Sequence, residues 1–310
     1  MRNKITIVGA GNVGASCAAW VAEHDLGEIV LLDTLHTETM PKGKALDINQ
    51  CGAVLGFDTR LIGTTDYADT ANSDVVVITA GVARKPGMSR EDLIGVNQTI
   101  ITTIVKNIVA TSPNAIIIVV TNPLDTMTYL ALKESGFPRH RVIGQAGILD
   151  RARMATFIAQ ELGVSIHSVE TCVMGGHGDE MVPLARYCSV GGIPISQLMP
   201  ADRVAALMER TRKGGGEIVS LLKTGSAYYA PGAAAGQMVE AVLKDRKLVV
   251  PASVLLDGEY GLKDICFGVP VKLGRNGVEK IYEVELDKSE KEMLDKSVVM
   301  IRETMGALKR

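Results

Sequence analysis

The chain has 310 residues, of which 46% are apolar, 22% charged and 4% aromatic, and its formal net charge is −2. This apolar content excludes a disordered or low-complexity protein, and the balanced charge with few aromatic residues argues against a nucleic-acid-binding surface. The five cysteines form no CxxC pair and are odd in number, so we expect reduced thiols rather than a disulfide scaffold or a zinc cluster.

The first half of the chain alternates short aliphatic segments with longer amphipathic ones. The aliphatic segments predict strands at residues 5–8, 29–32, 75–79, 115–121 and 142–144. The amphipathic segments predict helices at residues 13–24, 43–52, 91–111 and 124–135. Strands that are apolar on both faces and alternate with helices are typical of a parallel sheet covered on both sides. We therefore expect an α/β protein whose residues 1–145 form a dinucleotide-binding domain with a doubly wound parallel Rossmann sheet.

The second half has a different pattern and predicts an α+β catalytic domain at residues 146–310. We expect helices at residues 150–162, 203–224, 232–243 and 290–308, and strands at 169–174, 247–256, 267–273 and 279–285. Gly214, Gly215 and Gly216 lie inside one predicted helix, where three glycines cost about 2–3 kcal/mol relative to alanine. The sequence leaves open whether this helix breaks there or packing maintains it. The basic residues 210–213 are expected at a solvated helix end.

A glycine-rich turn follows the first predicted strand and begins the first predicted helix. It fits the pattern GxGxxG and consists of Gly9, Ala10, Gly11, Asn12, Val13 and Gly14. In such a turn the first glycine allows the tight bend, the second lets a pyrophosphate approach the backbone, and the third allows close packing of helix on strand. Asp33 follows about 20 residues later, where an aspartate binds the ribose hydroxyls and disfavours a 2′-phosphate. These residues predict NAD as the cofactor; the alternative is a plain glycine turn followed by a strand-end aspartate.

Among the five histidines, His177 is distinctive because glycines flank it and Asp179 follows. Asp150 and Arg153 are three residues apart near a predicted helix start, so they share one helix face. A carboxylate can orient an imidazole, the imidazole can exchange a proton, and a guanidinium can hold an anion. From the residues alone, a structural role for this group remains the alternative.

Four segments resemble signature motifs of the lactate/malate dehydrogenase family, in the order in which the family carries them. They are AGVARKPGMSR at residues 80–90, TNPLD at 121–125, LDRAR at 149–153 and GGHGD at 175–179. With the glycine-rich turn they span residues 9–179, and the remaining sequence resembles the carboxyl-terminal part of the family. The resemblance implies an NAD-dependent 2-hydroxy acid dehydrogenase.

The resemblance also implies a role for each matching residue. His177 is expected to donate a proton to the substrate carbonyl during reduction and to accept one during oxidation, with Asp150 holding its imidazole. Arg153 is expected to bind the substrate C1 carboxylate through two parallel hydrogen bonds, which a lysine cannot reproduce. Arg90 is expected to polarise the carbonyl when the loop at residues 80–90 closes.

Three further residues are expected near the cofactor and the reacting atoms. Asn122 is expected to hydrogen-bond close to the nicotinamide and to the reacting oxygen. Thr121 and Asn97 are expected to contact NAD.

Arg84 distinguishes between substrates of the family. Lactate-specific members carry glutamine at the matching position, whereas an arginine can pair with the second carboxylate of malate or oxaloacetate. With pyruvate, the closed loop would bury an unpaired guanidinium at a cost of about 2–5 kcal/mol. The resemblance is therefore to the malate-specific members, with malate and NAD converted reversibly to oxaloacetate and NADH. Ser226 and Ala227 stand where lactate-specific members commonly carry a threonine, and the smaller Ala227 leaves room for a larger substrate such as malate. Lactate or another 2-hydroxy acid remains an alternative.

Two other classes of protein are alternatives to a dehydrogenase. A non-catalytic NAD-sensing regulator predicts a basic recognition domain, and an NAD-dependent glycosidase predicts a Cys/His metal site; the sequence favours neither. We expect a small dicarboxylate substrate, no metal, no nucleic-acid or membrane partner, and a cytoplasmic enzyme of the tricarboxylic acid cycle. The family resemblance implies a homo-oligomer, either a tetramer or a dimer.

Overall fold

The computed structural model describes residues 2–33, 39–82 and 89–309, with the side chain of Arg90 left out. Six parallel strands form the first part of its main sheet: β1 (Lys4–Val8), β2 (Glu28–Leu32), β3 (Leu61–Thr64), β4 (Val75–Ile78), β5 (Ile116–Val119) and β6 (Val142–Gly144). Their order is β3-β2-β1-β4-β5-β6, so the chain reverses direction across the sheet after β3 and returns beside β1. This order is that of a doubly wound Rossmann sheet and confirms the predicted fold class.

The strand β3 is absent from the sequence-based prediction. It is a four-residue edge strand that is only half-buried at its centre, so its hydrophobic pattern is weak. A Cβ atom on Gly63 would collide with the carbonyl oxygen of Pro41. The glycine that weakens the strand pattern is therefore the residue that allows the preceding helix to pack on this strand.

Four helices connect these strands: α1 (Asn12–Glu23), α2 (Met40–Leu55), α3 (Arg90–Thr111) and α4 (Leu124–Ser135). Alternate strand residues enter two separate apolar clusters; Val75 and Val77 belong to one, and Val76 and Ile78 to the other. This alternation is expected for a sheet with helices on both faces. By length and composition alone α3 could cross a membrane, but Ile101 and other residues along it are buried in the second cluster.

The second half of the chain extends the main sheet and adds a small separate one. Its elements are α5 (Gly147–Leu162), β7 (Val169–Glu170), β8 (Val173–Gly175), β9 (Met181–Pro183), β10 (Ser189–Val190), β11 (Ile193–Pro194), α6 (Ile195–Leu198), α7 (Ala201–Leu222), α8 (Tyr229–Leu243), β12 (Leu248–Asp257), β13 (Lys263–Gly274), β14 (Gly277–Ile281) and α9 (Lys288–Gly306). Strands β12, β13, β8 and β9 continue the sheet beyond β6 with antiparallel pairing, and β14 pairs with β13.

Two sequence-based expectations for this half need revision. The single strand expected at residues 169–174 is wrong, because β7 pairs with β10 in the three-stranded sheet whereas β8 pairs with β9 and β13 in the main sheet. The helix containing Gly214, Gly215 and Gly216 does not break, since α7 continues to Leu222. Residues 210–213 therefore lie inside a helix, and the expectation of a solvated helix end there was wrong.

Candidate active site

His177 lies in the segment between β8 and β9, and its imidazole is paired with a carboxylate. Nδ1 of His177 is 2.9 Å from Oδ2 of Asp150, which lies in the first turn of α5 and is 2% exposed. The positive end of the helix dipole stabilises a negative charge at that place. Because an ionised carboxylate only accepts hydrogen bonds, Nδ1 carries the proton of the neutral imidazole and Nε2 is the nitrogen left for a substrate.

A second buried carboxylate holds the backbone of the same residue. The backbone N–H of His177 donates to Oδ2 of Asp125 at 2.9 Å, and the hydroxyl of Ser253 donates to Oδ1 of Asp125 at 2.7 Å. Asp125 lies in the first turn of α4 and is 5% exposed. Burial raises the pKa of Asp125 above its ordinary value, against the two donated hydrogen bonds, which lower it. The sequence analysis assigned Asp125 no role, although an aspartate three residues after Asn122 at a helix start was a usable signal.

The surroundings of His177 favour its protonated form. Burial of the imidazole opposes protonation, but the negative charge of Asp150 and the hydrogen bond to it favour protonation, and the pKa of His177 is raised overall. The charge of Asp125 adds to this increase, whereas the charge of Arg153 opposes it. A histidine with a raised pKa is a suitable proton donor at neutral pH.

Arg153 lies one helical turn after Asp150 and contacts the same carboxylate. Its Nη1 donates to Oδ1 of Asp150 at 3.1 Å. Its Nε is buried and has no hydrogen-bond partner among the residues that the structure describes. A buried donor without a partner is costly, so an acceptor from beyond the described residues would stabilise this guanidinium.

One cavity of about 320 Å³ brings together residues that the sequence analysis selected separately. Its lining includes Asn122, Arg153, His177, Ser226 and Ala227. They come from four separate places in the chain, and the fold assembles them at the carboxyl ends of the parallel strands, where open α/β sheets bind ligands.

The same cavity contains residues that the sequence analysis missed. Gln145 lines it, is 2% exposed, and has an Nε2 without a partner in the described part of the chain. Arg212, in the middle of α7, also lines it and donates from Nε to the carbonyl oxygen of Met181 at 3.3 Å. Neither residue belongs to a recognisable motif, so only the position of Gln145 directly after β6 could have indicated it.

The glycine-rich turn has the geometry of a phosphate-binding site. Gly9 has a φ of +108°, which favours glycine, and a Cβ atom on Gly14 would collide with the carbonyl oxygen of Gly9. Around Gly11, which precedes α1, no atom lies within 4 Å of an added Cβ. The helix N-terminus therefore faces open space, into which a phosphate can approach the backbone.

Asp33 lies beside this turn at the end of β2. Its Oδ2 accepts a hydrogen bond of 2.6 Å from the backbone N–H of Ala10. Together with Gly9, Tyr67, Ile100 and other residues, Asp33 lines a largely apolar cavity of about 400 Å³. An apolar cavity with a carboxylate at its edge, next to a helix N-terminus, fits an adenosine with its ribose and pyrophosphate.

Asn97 and Thr121 bind backbone groups of Asn122 and Ala80, which line these two cavities. The Asn97 side chain is fully buried, accepts from the N–H of Val82 at 2.9 Å and donates to the carbonyl oxygen of Asn122 at 2.7 Å. The Thr121 hydroxyl donates to the carbonyl oxygen of Ala80 at 2.7 Å. The contacts described for both residues shape the strand ends around the cofactor site.

Two predicted arginines cannot be placed. Arg84 lies outside the described residues, and so does the side chain of Arg90, whose backbone begins α3. Ser89 caps this helix, because its hydroxyl accepts from the N–H of Asp92 at 3.0 Å and the Asp92 side chain accepts from the N–H of Ser89. The end of the loop is thus fixed to α3 by a capping box.

Family models match nearly the whole chain. The model of the lactate/malate dehydrogenase NAD-binding domain matches residues 3–144. The model of the lactate/malate dehydrogenase alpha/beta C-terminal domain matches residues 148–309.

Individual relatives and solved structures agree with these matches. Over 307 residues the chain is 58% identical to a malate dehydrogenase of Desulforudis audaxviator, covering 99% of both chains. It is 56% identical to one of Geobacillus thermodenitrificans, covering 99% and 98%. The structure of malate dehydrogenase from Salinibacter ruber superposes with a TM-score of 0.93 at 50% identity, covering 98% and 97%. A Cryptosporidium parvum lactate dehydrogenase complexed with lactic acid and nicotinamide adenine dinucleotide superposes with a TM-score of 0.94 at 41% identity, covering 99% and 98%.

Proposed function

Since the chain belongs to the lactate/malate dehydrogenase family and is an NAD-dependent enzyme that interconverts malate and oxaloacetate, we propose that its reaction takes place in the cavity lined by His177, Arg153 and Asn122. The observation that carries this assignment is the pairing of His177 with Asp150 at 2.9 Å, next to a guanidinium whose buried Nε has no partner among the described residues. Bound NAD supplies the hydride acceptor for malate oxidation, and NADH the donor for the reverse reaction.

Residues of the glycine-rich turn and the end of β2 hold the cofactor. The N–H groups at the start of α1 bind the pyrophosphate, and the space around Gly11 admits it. The carboxylate of Asp33 binds the ribose hydroxyls, and its charge disfavours a 2′-phosphate. Asn97 and Thr121 contribute by fixing the backbone of Val82, Asn122 and Ala80 around the nicotinamide end of the site.

His177 moves the proton of the reaction. In oxaloacetate reduction its protonated imidazole donates from Nε2 to the carbonyl oxygen, while Asp150 stabilises the positive charge before the transfer. In malate oxidation neutral Nε2 accepts the hydroxyl proton, and the carboxylate stabilises the imidazolium that forms. Two carboxylates and the burial of the ring keep this nitrogen in place and set its pKa.

Arg153 and Asn122 position the substrate. The guanidinium of Arg153 binds the C1 carboxylate, and the side chain of Asn122 hydrogen-bonds to the reacting oxygen. Donors that point at the place where negative charge develops stabilise the transition state more than the ground state.

The loop at residues 80–90 completes the site. Arg90 polarises the carbonyl, and Arg84 pairs with the second carboxylate of the substrate, which distinguishes oxaloacetate from pyruvate. Closure of such a loop over the ligand excludes water from the reacting groups.

We further propose a domain boundary near residue 145, a cytoplasmic location in the tricarboxylic acid cycle and a homo-oligomer, either tetramer or dimer. The matches to residues 3–144 and 148–309 support the boundary. Exposed apolar side chains on α2 and α7 support an interface between copies; Val54 is 83% exposed and Leu221 is 73% exposed. Light scattering of the purified protein checks the oligomeric state.

An assay of NADH oxidation tests the proposal directly. The protein is compared with oxaloacetate, with pyruvate and with buffer, each at saturating NADH. We expect rapid oxidation with oxaloacetate and a much lower kcat/KM with pyruvate. Equal kcat/KM values for both substrates would remove Arg84 from its proposed role. The proposed site also requires that the Arg153→Lys and His177→Asn variants each have a strongly reduced kcat/KM for oxaloacetate.

A further inference from the structure

The glycines inside α7 have no conformational explanation. α7 is continuous from Ala201 to Leu222, so Gly214, Gly215 and Gly216 adopt ordinary helical backbone that alanine adopts more readily. A glycine here lowers the stability of the helix, and the backbone conformation does not require it. Its presence indicates that the volume a side chain would occupy has to stay free.

Two of the three glycines lie directly against Arg153. A Cβ atom on Gly214 would be 3.2 Å from Cδ of Arg153, and one on Gly215 would be 3.6 Å from Nη2 and 3.7 Å from Nη1. No atom lies within 4 Å of a Cβ on Gly216. The backbone of α7 therefore covers the Arg153 side chain from its aliphatic stem to its guanidinium.

Two buried nitrogen donors in this region lack partners in the described part of the chain. They are Nε of Arg153 and Nε2 of Gln145, which is 2% exposed. Gln145, Arg153 and Gly215 line the same cavity of about 320 Å³. Buried donors are almost always paired, so these two indicate a ligand rich in acceptor oxygens.

Arg153 can hold such a ligand without giving up its hydrogen bond to Asp150. Its Nη1 donates to Asp150 at 3.1 Å, while its Nε donates to nothing described. A bidentate carboxylate engages two N–H groups on one edge of the guanidinium. The edge formed by Nε and Nη2 does not include Nη1, so it can bind a carboxylate while Nη1 stays on Asp150.

We propose that Gly214 and Gly215 are positioning residues for the substrate carboxylate, because their missing side chains leave room for the Arg153 side chain and keep the cavity open beside its guanidinium. This inference rests on the proposed role of Arg153. A methyl group at position 214 pushes the stem of Arg153 by a few tenths of an ångström, and one at position 215 covers the guanidinium face.

The variant Gly215→Ala tests the proposal, with Gly43→Ala as its matched control. Gly43 is exposed in α2, and no atom lies within 4 Å of a Cβ placed on it. Both changes replace a helical glycine by alanine, so both variants should keep or raise the Tm of the parent. We expect Gly215→Ala to raise the KM for oxaloacetate about tenfold, with less effect on kcat and none on the KM for NADH. Gly43→Ala should leave all three constants unchanged.

A double-mutant cycle with Arg153→Lys shows whether the glycine acts through the arginine. In that background we expect Gly215→Ala to have little further effect on the KM for oxaloacetate. An equal increase in both backgrounds would overturn the proposal, since the glycine would then act independently of Arg153. An unchanged KM for Gly215→Ala alone, while Arg153→Lys raises it, would overturn this inference only. If Arg153→Lys itself leaves the KM unchanged, the proposed role of Arg153 is wrong and this inference is wrong with it.

Discussion

The backbone N–H of His177 donates a 2.9 Å hydrogen bond to the buried carboxylate of Asp125. The imidazole of the same residue is held by a different carboxylate, that of Asp150. One histidine is thus fixed at its backbone by one buried acid and at its side chain by another. Both negative charges favour the imidazolium, so the two aspartates affect the position and the pKa of His177 together.

The Asp125→Asn substitution tests the effect of the negative charge of Asp125 on His177 separately from the effect of the hydrogen bond between them. An asparagine oxygen can still accept from the N–H of His177, but the negative charge that raises the pKa of His177 is removed. Reduction requires protonated His177, so kcat/KM for oxaloacetate falls as pH rises through the pKa of His177. We expect the midpoint of this fall to move to lower pH, measured in a pH profile.

Ser297→Ala is the control for this experiment. The hydroxyl of Ser297 accepts from the N–H of Gly176 at 2.8 Å, so it supports the same segment without charge. This variant should lower activity without moving the midpoint. A midpoint that stays in place in Asp125→Asn, or moves equally in both variants, would show that the charge of Asp125 does not act on His177.

Alanine substitutions at Gly14 and Gly11 should separate an effect on protein stability from an effect on cofactor binding. An added Cβ at Gly14 collides with the backbone of Gly9, so Gly14→Ala should destabilise the protein by about 1–3 kcal/mol or more. Gly11→Ala should leave the unfolding free energy nearly unchanged and raise the KM for NADH about tenfold, because its methyl group enters the space left for the pyrophosphate. Thermal unfolding without cofactor and initial rates measure the two effects, and equal destabilisation by both changes would contradict this division.

Asp33→Asn should alter cofactor choice. The asparagine can keep the hydrogen bond from the N–H of Ala10, which is 2.6 Å in the parent, but it lacks the charge that repels a 2′-phosphate. We expect the ratio of kcat/KM for NADPH to that for NADH to rise about ten- to a hundredfold, equivalent to ~1.4–2.7 kcal/mol. An unchanged ratio would mean that the charge of Asp33 does not select the cofactor.

Arg84→Gln should alter substrate choice. The change removes the partner of the second carboxylate and the cost, about 2–5 kcal/mol, of burying an unpaired guanidinium beside pyruvate. The ratio of kcat/KM for pyruvate to that for oxaloacetate should therefore rise by at least tenfold. The same ratio in parent and variant would assign substrate selection to other residues of the cavity.

Much of this site was predictable from residues close together in the sequence. The glycine-rich turn, and the spacing of Asp150 and Arg153, are local patterns with a direct structural meaning. The fold class followed from the alternation of apolar strands and helices, and the structure confirms it. The division of residues 169–174 between two sheets depends on which distant strand each part meets, and no local pattern contains that information.

The residues that were missed depend on partners far along the chain. Asp125 becomes significant only when folding brings Ser253 and His177 to its two oxygens. Helix propensity alone left the continuity of α7 undecided, because the packing of Gly214 against Arg153 joins residues on different helices. Gln145 carries no motif, and its importance comes from the burial of an Nε2 that has no partner in the part of the chain that the structure describes.

The most direct test of the account is the kcat/KM for oxaloacetate of His177→Asn, compared with the parent at saturating NADH. If His177 donates the proton, kcat/KM falls by about 10²–10⁴, while the Tm and the KM for NADH stay at the parent values. A variant that retains most of the parent kcat/KM would contradict the assignment of His177 as the proton donor.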